Sequence, residues 1–234
     1  MEAKTAAIVL AAGRGSRMKS RIQKQYLLLK DKPVLYYSLK AFEESFIDEI
    51  ILVTGKEEIE YCRKEILEKY GFTKVSHIVA GGKERYNSVF FGLQALTDCD
   101  YVFIHDGARP FVTGQILERA YELVQKEHAC VVGMPVKDTI KLADESGFVK
   151  ETPRRDLLWT IQTPQVFSFA LVKKAYASFL EREQELLARG IKMTDDAMVV
   201  ETFTDVKTRL VEGSYENIKI TTPDDLRIAE ALLS

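Results

Sequence analysis

Short runs of Val, Ile and Ala alternate along this chain with stretches whose apolar residues recur every three or four positions, and that alternation limits the available folds more than any other feature. Ala6–Leu10, Ile50–Val53, Val75–Ala80, Tyr101–His105 and Ala129–Val136 are apolar runs bounded by Gly, Asp or Pro, the pattern of strands buried on both faces. Pro33–Phe42, Glu57–Tyr70, Arg85–Leu96 and Gly114–Lys126 carry helical spacing, as in Ile116, Ala120, Leu123 and Val124. The order predicts an α/β, Rossmann-like fold: a mostly parallel central sheet with helices on both faces. At 234 residues, with no repeat, low-complexity tract or linker, one domain over 1–234 is expected, with no sign of a fused second enzyme.

After Val136 the rhythm breaks. Asp138–Ala143 and Phe148–Thr152 are short extended stretches flanking Asp144-Glu145-Ser146-Gly147, which has the residues of a tight turn. Thr139, Ile140, Lys141 and Leu142 alternate polar with apolar and could not fill a core on both faces, so the hairpin is expected to project as an arm over about residues 137–158. A helix Phe169–Arg189 is predicted next, then a loop, extended stretches at Val206–Val211 and Ile218–Thr221, and a last helix from Pro223. There Pro suits the first turn, and Asp224 and Asp225 suit the positive end of the helix dipole.

Lys and Arg number 33 against 35 Asp and Glu, so the chain lacks the basic excess of a protein that tracks nucleic acid, and any phosphate ligand must meet a local cluster. Cys62, Cys99 and Cys130 are odd in number, far apart and without CxxC spacing, which argues against a disulfide framework or a zinc site. The stretch from Met1 to Ala7 is too short and too charged for a signal or membrane segment, and a cytoplasmic protein is expected.

The first predicted strand runs into Ala11-Ala12-Gly13-Arg14-Gly15-Ser16-Arg17-Met18, a small-residue loop at a strand's carboxyl end, where open α/β sheets bind ligands. A dinucleotide fingerprint needs Gly or Ala where Met18 stands, and a P-loop needs Gly-Lys-Ser/Thr, so both common readings fail. What remains is a glycine loop followed by two cations, Arg17 and Lys24, beside backbone N–H groups able to approach a triphosphate. The plain alternative is an ordinary β–α turn with solvated charges.

Leu10-Ala11-Ala12-Gly13-x-Gly15-x-Arg17-Met18 followed by Lys24-Gln25-Tyr26 resembles the opening of the 2-C-methyl-D-erythritol 4-phosphate cytidylyltransferases of non-mevalonate isoprenoid synthesis. Further blocks recur in that family's order: Gly81-Gly82-x-x-Arg85-x-x-Ser88-Val89, His105-Asp106-Gly107-Ala108-Arg109-Pro110, Asp138-Thr139-Ile140-Lys141, Arg155-x-x-x-Trp159, Gln162-Thr163-Pro164-Gln165, Thr194-Asp195-Asp196-Ala197, and Glu212-Gly213 through Asn217-Ile218-Lys219. The resemblance covers the whole chain. Leu10 stands where many members have Pro, and Gly107 where many have Ala.

The resemblance implies transfer of CMP from CTP to a sugar-alcohol phosphate whose phosphate oxygen attacks the α-phosphorus while pyrophosphate leaves. A phosphate monoester is largely dianionic near neutral pH, since its second pKa is about 6, so the reaction needs positive charge more than a general base. His77 and His128 lie at strand margins, and His105 is read as structural. By the same resemblance Arg17 and Lys24 carry the transition-state charge, and Leu10, Ala11, Ala12, Gly13, Gly15, Gly82 and Ser88 hold the nucleotide. Asp106, Arg109, Thr139, Arg155, Thr163, Thr194 and Lys219 meet the acceptor, and the arm reaches a second subunit of a homodimer with shared sites. Mg²⁺, or another divalent cation, is expected on the triphosphate with most of its waters kept, leaving its protein ligands unassigned. Cytosine comes from the resemblance; spacing alone does not separate CTP from UTP.

Two alternatives stay open. A ribitol 5-phosphate cytidylyltransferase of wall teichoic acid synthesis shares the glycine loop, Lys-Gln and Thr-Pro-Gln, but different residues are expected there around His105–Pro110 and Thr194–Ala197. A nucleotide-binding protein without catalysis is the other, and the presence of both Arg17 and Lys24 speaks against it.

Overall fold

Residues 3–13 and 22–233 are described by the computed structural model. Arg17, Gly15 and Met18 lie outside these described residues. Among the described residues a seven-stranded sheet spans the molecule, formed by β1 (Thr5–Ala11), β2 (Glu49–Thr54), β3 (Val75–Ala80), β4 (Tyr101–Asp106), β5 (Ala129–Pro135), β6 (Trp159–Ser168) and β7 (Arg209–Glu212) in the order β7-β5-β6-β4-β1-β2-β3. β1 pairs in parallel with β2 and β4, β2 with β3, and β7 with β5, while β6 alone runs antiparallel to its neighbours β4 and β5.

The alternation of side chains along β1 sets the layers. Ala7, Val9 and Ala11 face α1 (Val34–Glu43), the helical stretch of residues 56–68 and α3 (Gly114–Glu127), packing with Leu39, Phe42, Ile66 and Ile116. Ala6 and Ile8 face the opposite layer of α2 (Arg85–Ala95), α4 (Phe169–Glu181), α5 (Glu183–Ala188) and α6 (Asp196–Phe203), packing with Val89, Leu93, Val172, Tyr176 and Val200. A strand covered on both faces has no need for polar alternation, which explains the unbroken apolar runs. A third cluster joins Ile220 and Ala229, the latter on α7 (Pro223–Leu232), to Leu29 and Val34.

The structure bears out the five predicted strands and most helices and corrects other expectations. β6, which carries Gln162-Thr163-Pro164-Gln165, sits in the middle of the sheet, where a Pro argues against a strand. The strand accommodates it with a register shift between Ile161 and Gln165, so residues 162–164 escape the ladder with β5 and sit at the end of β4 instead. The region read as a loop before Val206 contains α6, started by Asp195, whose side chain accepts from Met198 N at 3.0 Å. The helix expected over Phe169–Arg189 breaks at Arg182, and the turn sends Leu186 into the core. Residues 56–68 form a 3₁₀ turn, one α-turn and a π-helical run Cys62–Glu68 in place of one regular helix. The last strand starts at Arg209 rather than Val206, and Ile218–Thr221 is no strand: it is tied across the sheet end by Ile220 N to Ala108 O at 2.9 Å.

The arm is a hairpin as expected, though its paired stretches are only Leu142–Ala143 and Val149–Glu151. Asp144 Oδ1 accepts from Ser146 N and Phe148 N, and Gly147 takes a φ of +85°, the left-handed turn position that favours glycine. Phe148 and Val149 are 74% and 61% exposed, so the arm carries apolar side chains that this chain alone does not cover.

Candidate active site

A cleft of about 590 Å³ opens beyond the carboxyl ends of β1 and β4, lined by Leu10–Gly13, Lys24, Gln25, Gly82–Arg85, Ser88, Asp106, Ala108 and Lys219. The carboxyl ends of parallel strands are the expected place for a ligand.

One wall is built by close backbone approach. A side chain at Gly81 would put its Cβ 2.3 Å from Ala12 Cβ, so only glycine lets this segment lie against the β1 loop. Ser88 Oγ accepts from Gly82 N at 3.1 Å and fixes the bend before α2. Glu84 caps that helix in a capping box with Asn87, whose Oδ1 accepts from Glu84 N at 3.0 Å. This wall of small side chains and main-chain polar groups suits a flat heterocycle.

Lys24 starts a 3₁₀ turn, Lys24–Tyr26, whose other two residues are its anchors. Gln25 is buried, and its Nε2 donates to Ala11 O at 2.5 Å and Gly13 O at 3.2 Å, clasping the glycine loop. The Tyr26 hydroxyl lies 2.5 Å from Thr54 Oγ1 at the end of β2. Lys24 thus stands on a turn fixed to two strands of the sheet.

The opposite wall is electrostatic. Asp106 is nearly buried; its Oδ2 accepts from Lys219 Nζ at 2.6 Å and its Oδ1 from Arg85 Nε at 3.3 Å. Burial alone would raise the pKa of this carboxyl, but Arg85 and Lys219, with Arg109 nearby, outweigh it and hold the group well below the usual carboxylate range. Lys219 is delivered by residues 213–220, where the fully buried Asn217 donates to Gln162 Oε1 at 3.1 Å and to Thr163 O at 3.0 Å.

Beneath Asp106 runs a chain of neutral hydrogen bonds. Thr163 Oγ1 accepts from Asp106 N at 3.1 Å and lies 3.1 Å from His105 Nδ1, while His105 Nε2 lies 3.2 Å from Arg109 O. Burial lowers the His105 pKa to about 4, so the ring is neutral, accepting a hydrogen bond from the Thr163 hydroxyl at Nδ1 and donating from Nε2 to Arg109 O. Arg109 donates from Nη1 to Asn217 O at 2.7 Å; burial lowers its pKa, and its Nε finds no partner among the described residues.

The structure therefore brings Leu10, Ala11, Ala12, Gly13, Gly82, Ser88, Lys24, Asp106 and Lys219 together on one cleft. Thr163 sits under that cleft with its hydroxyl engaged, and Arg109 is beside it. Thr194 is exposed just ahead of α6. Thr139 and Arg155 are exposed at the root of the arm and do not line the cleft of their own chain, and Arg155 Nη1 donates to Lys137 O at 3.1 Å. Sequence reasoning left Gln25, Lys83, Glu84, Arg85 and Ala108 out of the site, though Gln25, Arg85 and Ala108 are named in the blocks that mark it. Among the described residues no group of three or more His, Cys, Asp or Glu could cage a metal; Asp106 and Glu84 are the cleft's carboxylates.

Comparison with known proteins shows what the chain resembles as a whole. Residues 5–234 match the family model described as IspD, 2-C-methyl-D-erythritol 4-phosphate cytidylyltransferase. A protein of that name from Lachnospira eligens is 53% identical over 97% of this chain and 98% of its own length. One from Lachnoclostridium phytofermentans is 50% identical over 98% and 96% respectively. The crystal structure of 4-diphosphocytidyl-2C-methyl-D-erythritol synthase from Anaerococcus prevotii superposes with a TM-score of 0.85 at 35% identity, covering 99% of this chain and 96% of that one.

Proposed function

This chain belongs to the 2-C-methyl-D-erythritol 4-phosphate cytidylyltransferase family, and on that premise we propose that the cleft between the glycine loop and Asp106 is where it works. The enzyme is a nucleotidyltransferase: it transfers CMP from CTP to 2-C-methyl-D-erythritol 4-phosphate, giving 4-diphosphocytidyl-2-C-methyl-D-erythritol and pyrophosphate. The ribitol 5-phosphate reading and the non-catalytic reading are not favoured by these relatives.

The observation that carries the mechanism is the pairing of two walls: a neutral, backbone-lined one at Leu10–Gly13, Gly82 and Ser88, and a charged one at Lys24, Asp106 and Lys219. Cytosine and ribose lie on the first. The triphosphate runs toward Lys24, and the charges of Lys24 and, by the family resemblance, Arg17 stabilise the crowded pentacovalent α-phosphorus as the acceptor's phosphate oxygen attacks and pyrophosphate departs. No protein base is needed, because the nucleophile is already ionised above pH of about 6. His105, neutral and internal, positions the Asp106 loop and takes no proton from substrate.

On the acceptor side Asp106 accepts from substrate hydroxyls, and Lys219 and Arg109 meet the acceptor's phosphate. Thr163 and Thr194 border this region, and Thr139 and Arg155 complete it from the arm of a second subunit. A homodimer with shared sites is supported by the uncovered Phe148 and Val149 and by the absence of Thr139 and Arg155 from the lining of their own cleft. The whole of 1–234 then acts as one nucleotidyltransferase domain bearing a dimerisation arm at about 137–158.

A divalent cation such as Mg²⁺ fits these residues in a limited sense. Asp106 already has both oxygens in ion pairs and Glu84 caps α2, so the triphosphate and water would supply most ligands. When bound, the cation would neutralise triphosphate charge. Three free cysteines suit a reducing cytoplasm, and among the described residues no helix is long and apolar enough to cross a membrane.

The test is a panel of the four nucleoside triphosphates against 2-C-methyl-D-erythritol 4-phosphate and ribitol 5-phosphate, with pyrophosphate as readout. CTP with the methylerythritol phosphate should release it fastest; a preference for ribitol 5-phosphate, or no release with any pair, would overturn the proposal.

A further inference from the structure

The Thr194-Asp195-Asp196-Ala197 block and Arg85 are marked in the sequence, yet neither Asp196 nor Arg85 has a role in the reaction as described. In the structure they meet. Arg85, in the first turn of α2, makes a two-pronged pair with Asp196 on α6, Nη1 to Oδ1 and Nη2 to Oδ2, both at 2.8 Å. Its third nitrogen, Nε, donates to Asp106 Oδ1 at 3.3 Å. Asp196 is fully buried, and its Oδ1 also accepts from the Tyr176 hydroxyl at 2.5 Å.

We infer that Arg85 and Asp196 are positioning residues that hold Asp106 in the orientation that receives the acceptor substrate. This rests on the proposed function of the cleft and deepens it. Without a partner on α6, the Arg85 side chain could turn toward the cleft or toward solvent, and Asp106 would be left with Lys219 alone. The fork and the coplanar Nε–H fix both the distance and the plane of the guanidinium, which is geometry a lysine ammonium cannot reproduce.

The arrangement also has a direction. Arg85 belongs to the helix that carries Ser88 and follows Gly82, on the nucleotide wall, whereas Asp106 belongs to the acceptor wall. A single guanidinium thus links the two halves of the cleft through a buried anchor. A buried ion pair adds little net stability over an apolar pair of the same shape, while removing one partner strands a charge, so retention of this pair here fits a positional use.

Two variants test the inference by different routes. R85K keeps the charge and loses the fork; D196N keeps the shape and the Tyr176 contact and loses the charge. Each should raise the KM for 2-C-methyl-D-erythritol 4-phosphate roughly tenfold to a hundredfold, as expected for misplacement of a substrate-binding group, while the KM for CTP changes by less than about threefold. The double variant should cost no more than the worse single one, since both act through one contact. Thermal unfolding of each variant separates misfolding from misplacement: if D196N is unfolded at assay temperature, R85K carries the test alone. An unchanged acceptor KM in a folded R85K, or equal losses for both substrates, would overturn the inference. Wild-type protein that releases no pyrophosphate from CTP and this acceptor would instead overturn the proposed function itself.

Discussion

Lys219 Nζ and Asp106 Oδ2 stand 2.6 Å apart, joining the extended segment after β7 to the end of β4. The pair lines the side of the cleft proposed for the acceptor, and beyond their mutual contact the Asp106 oxygens have lone pairs left to accept from a hydroxyl and the Lys219 ammonium has N–H groups left to donate to a phosphate. Replacement of Asp106 by Ala, or of Lys219 by Ala, should therefore mainly raise the KM for the acceptor, with nucleotide affinity near normal. Separate titrations of CTP and of the acceptor check this division. Loss of CTP binding with acceptor binding spared would reverse the assignment of the two walls.

Lys24 is held on a turn whose neighbours Gln25 and Tyr26 are tied to β1 and β2, so its charge is preorganised. Lys24→Ala should lower kcat by about 10²–10³, the usual cost of one transition-state donor, with a smaller change in CTP binding. Steady-state kinetics at saturating acceptor reads this directly. Near-normal turnover would remove Lys24 from the mechanism.

The chemistry-bearing residues were more legible than the elements that carry them. The roles of Lys24 and Lys219 could be read from their blocks only through the family resemblance, whereas Asp106 also stood out as an acid at the end of a predicted strand. β6 was not legible: its Pro164 and the polar Gln162 and Gln165 look like a loop, and only the shifted register shows how a central strand tolerates them. α6 was hidden because its short run is started by Asp195, a residue equally at home in a loop, and is held by tertiary bonds such as Ala197 N to Gln165 Oε1 at 2.9 Å. Arg85 stood in a marked block without a function, since its two partners, Asp106 and Asp196, are distant in sequence and only the fold brings them together.

His105 gives a prediction about stability rather than rate. Its pKa is lowered from 6.5 to about 4 by burial, so below pH 6.5 the unfolded chain binds a proton that the folded chain refuses. Stability from this group is present above pH 6.5 and is lost as pH falls toward about 4, by up to about 3 kcal/mol. Urea unfolding midpoints measured from pH 7 to pH 4.5 should decline, and His105→Gln, less stable at pH 7, should show a flatter decline. Equal slopes for both proteins would mean that other groups account for the acid sensitivity.

The proposed shared-site homodimer predicts complementation. Arg155→Ala and Lys24→Ala chains, each nearly inactive alone, should recover activity when mixed and allowed to exchange subunits. Random exchange makes half the dimers mixed, with one intact site of two in each, so the ceiling is about a quarter of wild-type activity. Confirmed exchange without recovery would mean that Arg155 does not serve the partner's cleft.

The most direct measurement of the central claim follows the α-phosphate. With CTP labelled at that phosphorus and unlabelled 2-C-methyl-D-erythritol 4-phosphate, the label should appear in a diphosphocytidyl product, and the pyrophosphate should be unlabelled. Wild-type protein should transfer one label per pyrophosphate released, and Lys24→Ala should slow both together. Label recovered as free CMP, or pyrophosphate released without the acceptor, would contradict the account.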